Sequence, residues 1–156
     1  MRMLLLSMII LISLNLSAQK RFLTIDSTNI WINIIGIENR QKGQPVVVFE
    51  SGHGIPMDNW DKVLTGVSAL APLVTYYRPG IGESEPDNDM PTIKNVSDKL
   101  IKILNHLGIA SPYILVGHSL GGAYVRGFAV YDTELLITLK RKVNMYLLFV
   151  IHMEAK

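Results

Sequence analysis

The stretch Val116-Gly117-His118-Ser119-Leu120-Gly121-Gly122 decides how this chain is read. It is a Gly-x-Ser-x-Gly pentapeptide, and its setting says more than its letters. Tyr113 to Val116 precedes it as an apolar run, the composition of a parallel strand covered on both faces. Gly121 to Tyr131 follows it as a helix-like stretch. A serine between such a strand and such a helix sits on a sharp turn, with its backbone strained and its hydroxyl pushed outward. Gly117 and Gly121 give that turn room, because side chains there would collide with the neighbouring strand and helix. In this context Ser119 is a candidate nucleophile. Outside it, the same letters describe a glycine-rich turn with an incidental serine.

Upstream, the pattern alternates strands and helices. Phe22 to Asp26 and Ile30 to Gly36 read as two strands, with Ser27-Thr28-Asn29 as the turn of a hairpin. Val46 to Phe49 is a short, wholly apolar strand. Trp60 to Leu70 carries apolar residues at helical spacing, with Asp58 or Asn59 as its cap. Leu73 to Tyr77 is the next strand, and Pro79 to Pro91 a loop rich in glycine, proline and acid. Thr92 to Leu107 is the clearest helix. Ile93, Val96, Leu100, Ile103, Leu104 and Leu107 form its apolar stripe, and Gly108 stops it. This alternation predicts an α/β fold with a mostly parallel, doubly wound sheet. Right-handed crossovers then bring the loop after Phe49, the Arg78 loop and the Ser119 turn to one edge of the sheet.

Three blocks, in this order, resemble the α/β-hydrolase family on the side of its esterases, lipases and peptidase-like members. Val46-Val47-Val48-Phe49-Glu50-Ser51-Gly52-His53-Gly54 is similar to the family's strand and oxyanion loop. Tyr77-Arg78-Pro79-Gly80-Ile81-Gly82-Glu83-Ser84 resembles the exit loop of the next strand, with Tyr77 where an acid often precedes the arginine. Gly117 to Gly122 is the nucleophile elbow. The likeness runs from about Phe22 to Tyr131, roughly the first half of the family's usual domain. It implies a serine hydrolase that cleaves an ester or amide through an acyl-enzyme on Ser119. It implies an oxyanion hole from the backbone N–H groups of Leu120 and His53, with Gly52 and Gly54 letting the loop approach the substrate. No cofactor or metal is expected. The partner is a small-molecule or peptide substrate with a carbonyl ester or amide.

The family order places an acid and then a histidine after the serine. Of the four histidines, His53 lies in the oxyanion loop, His106 on the exposed part of a helix, and His118 beside the serine, pointing away from it. His152 alone follows Ser119, close to the last residue. Asp132 and Glu134 sit too near the elbow helix to serve as the acid, and Glu154 is also near the end. Triad base and acid are therefore unassigned. The stretch 132–156 departs from the family, with a basic run Lys140-Arg141-Lys142 and then the apolar Val143 to Ile151. Met145 to Ile151 is either the next strand or unrelated sequence. The sheet is expected to be truncated after the nucleophile helix, from a frameshift or early stop near Tyr131 or in a genuine short protein whose sheet closes early.

Residues 1–18 read as a secretory signal peptide. Met1-Arg2 opens it with positive charge, Met3 to Leu14 is apolar but short for a bilayer, and Leu16-Ser17-Ala18 is a cleavage site. The mature chain, 19–156, is then one partial hydrolase domain, secreted or periplasmic, with no stable membrane span. An uncleaved N-terminal anchor is the alternative. A net charge of +2 gives no basis for nucleic-acid binding. With no cysteine, disulfides, thiol catalysis and thiolate metal sites are excluded. Glu83, Glu85, Asp87 and Asp89 lack the spacing of a calcium loop and read as a solvated acidic loop. Arg78 reads as a structural loop residue, and Trp31 and Trp60 as packing residues. Besides a serine hydrolase, an inactive remnant or a non-catalytic binding protein of the same fold remains open.

Overall fold

A computed structural model describes residues 18–131 and 148–151. The leader expected over 1–18 lies outside these residues except for Ala18, and so do His152, Asp132, Glu134 and Glu154. The elements in chain order are β1 (Ala18–Ile25), β2 (Thr28–Ile35), β3 (Val46–Glu50), α1 (Asp61–Ser68), β4 (Leu73–Tyr76), α2 (Ile93–His106), β5 (Tyr113–His118), α3 (Leu120–Tyr131) and β6 (Leu148–Ile151). They form one six-stranded sheet in the order β1-β2-β4-β3-β5-β6. β3 pairs in parallel with β4 and β5, and β5 with β6. β1–β2 and β2–β4 are antiparallel, so the sheet is mixed at its first edge. The strand weighed for 145–151 is present over Leu148–Ile151, opposite Leu115 to His118 of β5, and carries the sheet one strand past α3.

The apolar run of β3 is explained by burial on both faces. Val46 and Val48 enter the larger core with Leu100, Ile103 and Leu104 of α2 and Phe128 of α3. Val47 and Phe49 face the other way, onto Trp60, Leu64 and Val116. A period of two therefore puts each of Val46 to Phe49 in one core or the other. Full burial of each such side chain contributes about 1.5–3 kcal/mol.

Two local readings need correction. The hairpin turns at Asp26-Ser27, with φ of 49° and 66°, while Thr28 and Asn29 already pair with Ile25 and Thr24. A two-residue turn with both φ positive matches strand twist, and aspartate tolerates that conformation better than most residues. The other concerns α1. Met57–Trp60 forms a 3-10 turn, and no side chain caps the helix at Trp60. Asp58 instead accepts a hydrogen bond from the Tyr77 hydroxyl.

Gly108 stops α2 as read, while Thr92, read as the first residue of the helix, is its N-terminal cap. Thr92 Oγ1 accepts from the N–H of Asn95 at 3.1 Å. At the other end Gly108, φ 66°, lets its own N–H reach Asn105 O and the N–H of Ile109 reach Leu104 O. Thr92→Ala is expected to lower stability by about 1 kcal/mol, measured as a shift in urea midpoint at unchanged slope. No helix among the described residues is long and apolar enough to cross a membrane.

Candidate active site

Ser119 follows the last residue of β5 and precedes the first residue of α3. Its φ is 52°, a left-handed conformation rare for a side chain of this kind. The N–H of Gly122 closes the turn on Ser119 O at 2.9 Å. The two motif glycines are required by backbone contact. A Cβ at Gly117 would lie 2.6 Å from the carbonyl of Gly121 and the nitrogen of Gly122. A Cβ at Gly121 would lie 2.2 Å from Glu50 O and 2.6 Å from Ser51 O. The first turn of α3 thus rests on the end of β3. Leu120, opening that helix, has an N–H with no acceptor one turn back in the helix. Both Ser119 and Leu120 are exposed.

The loop after β3 meets the elbow from the other side. A Cβ at Gly52 would lie 3.0 Å from His118 Nδ1 and 3.4 Å from His118 O. The His118 ring packs edge-on to Trp60, with centroids 6.4 Å apart, and its Nδ1 is buried without a partner among the described residues. Trp60 Nε1 in turn donates to Ser51 Oγ at 3.0 Å. The loop bends at Gly54, φ 63°, and the N–H of Ile55 donates to Gly52 O at 3.3 Å. Residues 50–52 therefore touch the neighbours of Ser119 before and after it.

Beneath this loop lies a buried ionic network that the sequence did not announce. Arg78 pairs with the Glu50 carboxylate through Nη1, which also donates to Ser51 O at 2.6 Å. Its Nη2 donates to Gly52 O. The Tyr76 hydroxyl donates to the other oxygen of Glu50. The guanidinium carbon lies 5.2 Å from the centre of the Tyr124 ring. Burial pushes the Glu50 carboxyl up, against the pull of Arg78 and Tyr76. Burial, and then the Glu50 charge, push the Tyr76 phenol well above its ordinary value. Arg78 is the structural residue expected of it. Its acid partner was missed, although an acid closing the wholly buried run Val46–Glu50 was a sequence cue that a cation must lie opposite.

The acidic loop is not simply solvated. The ammonium of Lys99, whose side chain is 7% exposed, lies 3.2 Å from Asp87, 3.4 Å from Asp89 and 3.3 Å from Asp26. Glu85 accepts from the backbone N–H of Asn29 at 2.9 Å. These bonds tie the loop to α2 and to the hairpin. Ser84 Oγ donates to Tyr77 O and accepts from the N–H of Trp31, both at 2.8 Å. Trp31 packs edge-on with Phe22. An open cavity of about 270 Å³ lies alongside, walled by His53, Gly54, Arg78, Ile81, Met90 and Tyr124 among others. It shares His53 and Gly54 with the loop, whereas Ser119 is not in its wall. No cluster of three metal-ligating side chains occurs among the described residues. No hydrogen bond joins Ser119 to a histidine or carboxylate among them either.

The geometry superposes on solved enzymes. MGS-M2, an α/β hydrolase enzyme from a Medee basin deep-sea metagenome library, matches 74% of this chain and 41% of its own, with a TM-score of 0.65 at 24% identity. The chain has the α/β-hydrolase fold. It is a partial, N-terminal match to that fold. Two curated relatives share sequence with it. A probable transporter, efuK, of Hormonema carpetanum is 33% identical over 111 residues, 70% of this chain and 16% of the relative. A putative carbamate hydrolase, RutD, of Caulobacter vibrioides is 31% identical over 83 residues, 51% of this chain and 30% of the relative. The chain thus spans less than a third of the length of these relatives. No family model matches it.

Proposed function

We propose that this chain carries the nucleophile and oxyanion hole of a serine hydrolase acting on a carbonyl ester or amide. Ser119 Oγ bonds to the carbonyl carbon, the carbonyl oxygen takes the negative charge, and collapse expels an alcohol or amine that leaves with a proton. Water then releases the acid from the acyl-enzyme. The N–H groups of His53 and Leu120 hold the oxyanion; losing one such donor typically costs about 3 kcal/mol of transition-state stabilisation. The observation that carries this reading is the left-handed Ser119, held between two glycines whose Cβ positions are already filled by backbone. Between a strand and a helix, that conformation pushes the hydroxyl outward, as a nucleophile requires. The carbamate hydrolase relative, named for cleavage at a carbonyl, supports the same class of substrate.

The hydroxyl proton needs a base, and none of the described residues takes it. His152 is the candidate that the chain order allows. The apolar stretch Met3 to Leu14 supports an exported location.

The test is labelling of the purified chain with a fluorophosphonate probe. Wild type is expected to label and Ser119→Ala to lose the signal entirely. Absence of labelling in wild-type protein with a cooperative melting transition would overturn the hydrolase reading and leave a binding protein or remnant of this fold.

A further inference from the structure

The guanidinium of Arg78 spends its hydrogen bonds on one short stretch of chain. It reaches the carboxylate of Glu50, the carbonyl of Ser51 and the carbonyl of Gly52. All of these lie between the end of β3 and the first residue of the oxyanion loop. Arg78 is only 8% exposed, and although it borders the open cavity, the hydrogen bonds it makes through both terminal nitrogens run inward to this stretch.

The Gly52 carbonyl is the informative contact. That C=O and the N–H of His53 belong to one planar trans peptide, so they point in opposite directions. Arg78 Nη2 and the N–H of Ile55 both hold the Gly52 oxygen on the buried side. The N–H of His53 is thereby turned away from the guanidinium. It has no hydrogen-bond partner among the described residues. The same peptide starts at Gly52, which packs against His118, the residue before Ser119. Arginine suits this task because its rigid planar fork fixes the directions of bonds from two nitrogens, which the rotating point charge of an ammonium does not. Glu50, Tyr76 and Tyr124 in turn fix the guanidinium.

We infer that Arg78 is a positioning residue for the oxyanion hole: by clamping the Ser51 and Gly52 carbonyls it aims the His53 N–H at the oxygen of the reacting group on Ser119. The role rests on the function proposed for Ser119 and His53, but the peptide orientation it sets is readable without any chemistry. The substrate-facing donor is His53; Arg78 works one peptide behind it.

The experiment uses the full chain as wild type, Arg78→Lys and Arg78→Met. Arg78→Lys keeps a cation opposite Glu50 and is the variant expected to fold if Arg78→Met does not. Crystal structures of the unlabelled proteins read the Gly52–His53 peptide directly. Wild type is expected to show the carbonyl on the guanidinium, and the folded variant a rotated or doubly populated peptide. A variant with the wild-type peptide orientation overturns the inference whether or not Ser119 reacts. Where wild type labels with the fluorophosphonate, the first-order labelling rate of the variant is expected to fall about 100-fold, the loss typical of one oxyanion donor. The probe concentration at half-maximal rate is expected to stay within about two-fold, since the clamp acts on the developing oxyanion. The amide proton of His53 is expected to move downfield on phosphonylation in wild type and not in the variant, while Leu120 moves in both. Equal rates, or equal His53 shifts, overturn the inference. Failure of wild type to label removes the proposed function alone, and the crystallographic comparison still decides the role of Arg78.

Discussion

Gly121→Ala is expected to destabilise the chain by more than about 3 kcal/mol, beyond the usual range for one added methyl group in a packed site. The added Cβ would stand 2.2 Å from Glu50 O, 2.6 Å from Ser51 O and 2.9 Å from Glu50 C. All three neighbours are backbone, so no rotamer change relieves the contact. Nor is that backbone free to retreat. Glu50 ends β3, which is paired on one side with β4 and on the other with β5, where Glu50 stands opposite Gly117. The nearer escape is for α3 to move outward, which uncovers Val125 and Phe128, now 0% and 1% exposed, and pulls Leu120 from its place beside Ser119. Against a total stability of about 5–15 kcal/mol, such a loss leaves a large unfolded fraction or a displaced elbow. Gly66→Ala is the control. Nothing lies within 4 Å of its Cβ position, and it sits inside α1, where alanine gains about 0.5–1 kcal/mol over glycine. Urea denaturation of both variants checks the contrast, and a wild-type midpoint for Gly121→Ala would refute it.

The legibility of the elbow has the same physical root. Glycine is demanded at 117 by the first turn of α3, which follows β5 directly, so that demand shows as a short local pattern; the demand at 121 comes from the distant end of β3 and was legible only because it falls in the same motif. The helix α2 was readable for a similar reason: its stripe and Gly108 are local signals, while the cap at Thr92 went unread. Val46 to Phe49 announced two-sided burial by having no polar face at all. What stayed hidden was held by distant partners. Glu50 and Arg78 are 28 residues apart, and nothing in either local sequence names the other. Lys99 sits on the face of a helix that binds Asp87 and Asp89 of the preceding loop and Asp26 of the first hairpin. Composition alone made those acids look solvated. Tyr77, standing where an acid often precedes the arginine, sends its hydroxyl to Asp58. The hairpin was misplaced because Asp26-Ser27 adopts a glycine-like turn without a glycine to mark it. Base and acid for Ser119 were unassigned from sequence, and the residues weighed for them after α3 lie outside the described part of the chain.

Arg78→Met is expected to cost about 3–5 kcal/mol at neutral pH, the range for stripping the partner from a buried charge. The Glu50 side chain is 1% exposed and would keep only the Tyr76 hydroxyl. The cost carries a pH signature whose sign follows from burial. The Glu50 carboxyl is already held above its ordinary value of 4.5 by desolvation, and Arg78 is the largest influence pulling it back. Without the guanidinium it rises further. A carboxyl raised in the folded state binds its proton more tightly folded than unfolded, so its penalty is absent below 4.5 and complete above the raised value. The deficit of Arg78→Met relative to wild type is therefore expected to grow as pH rises from the wild-type folded value, itself above 4.5, to the higher value of the variant. Denaturation of both proteins across a pH series measures it. Adding Glu50→Gln to Arg78→Met removes the charge, so the pH dependence is expected to vanish and part of the stability to return. What does not return belongs to the Ser51 and Gly52 carbonyls, which lose the guanidinium whether or not Glu50 is charged. A deficit independent of pH would assign the whole cost to those carbonyls and to packing on Tyr124, and would leave the ion pair without a net role in stability.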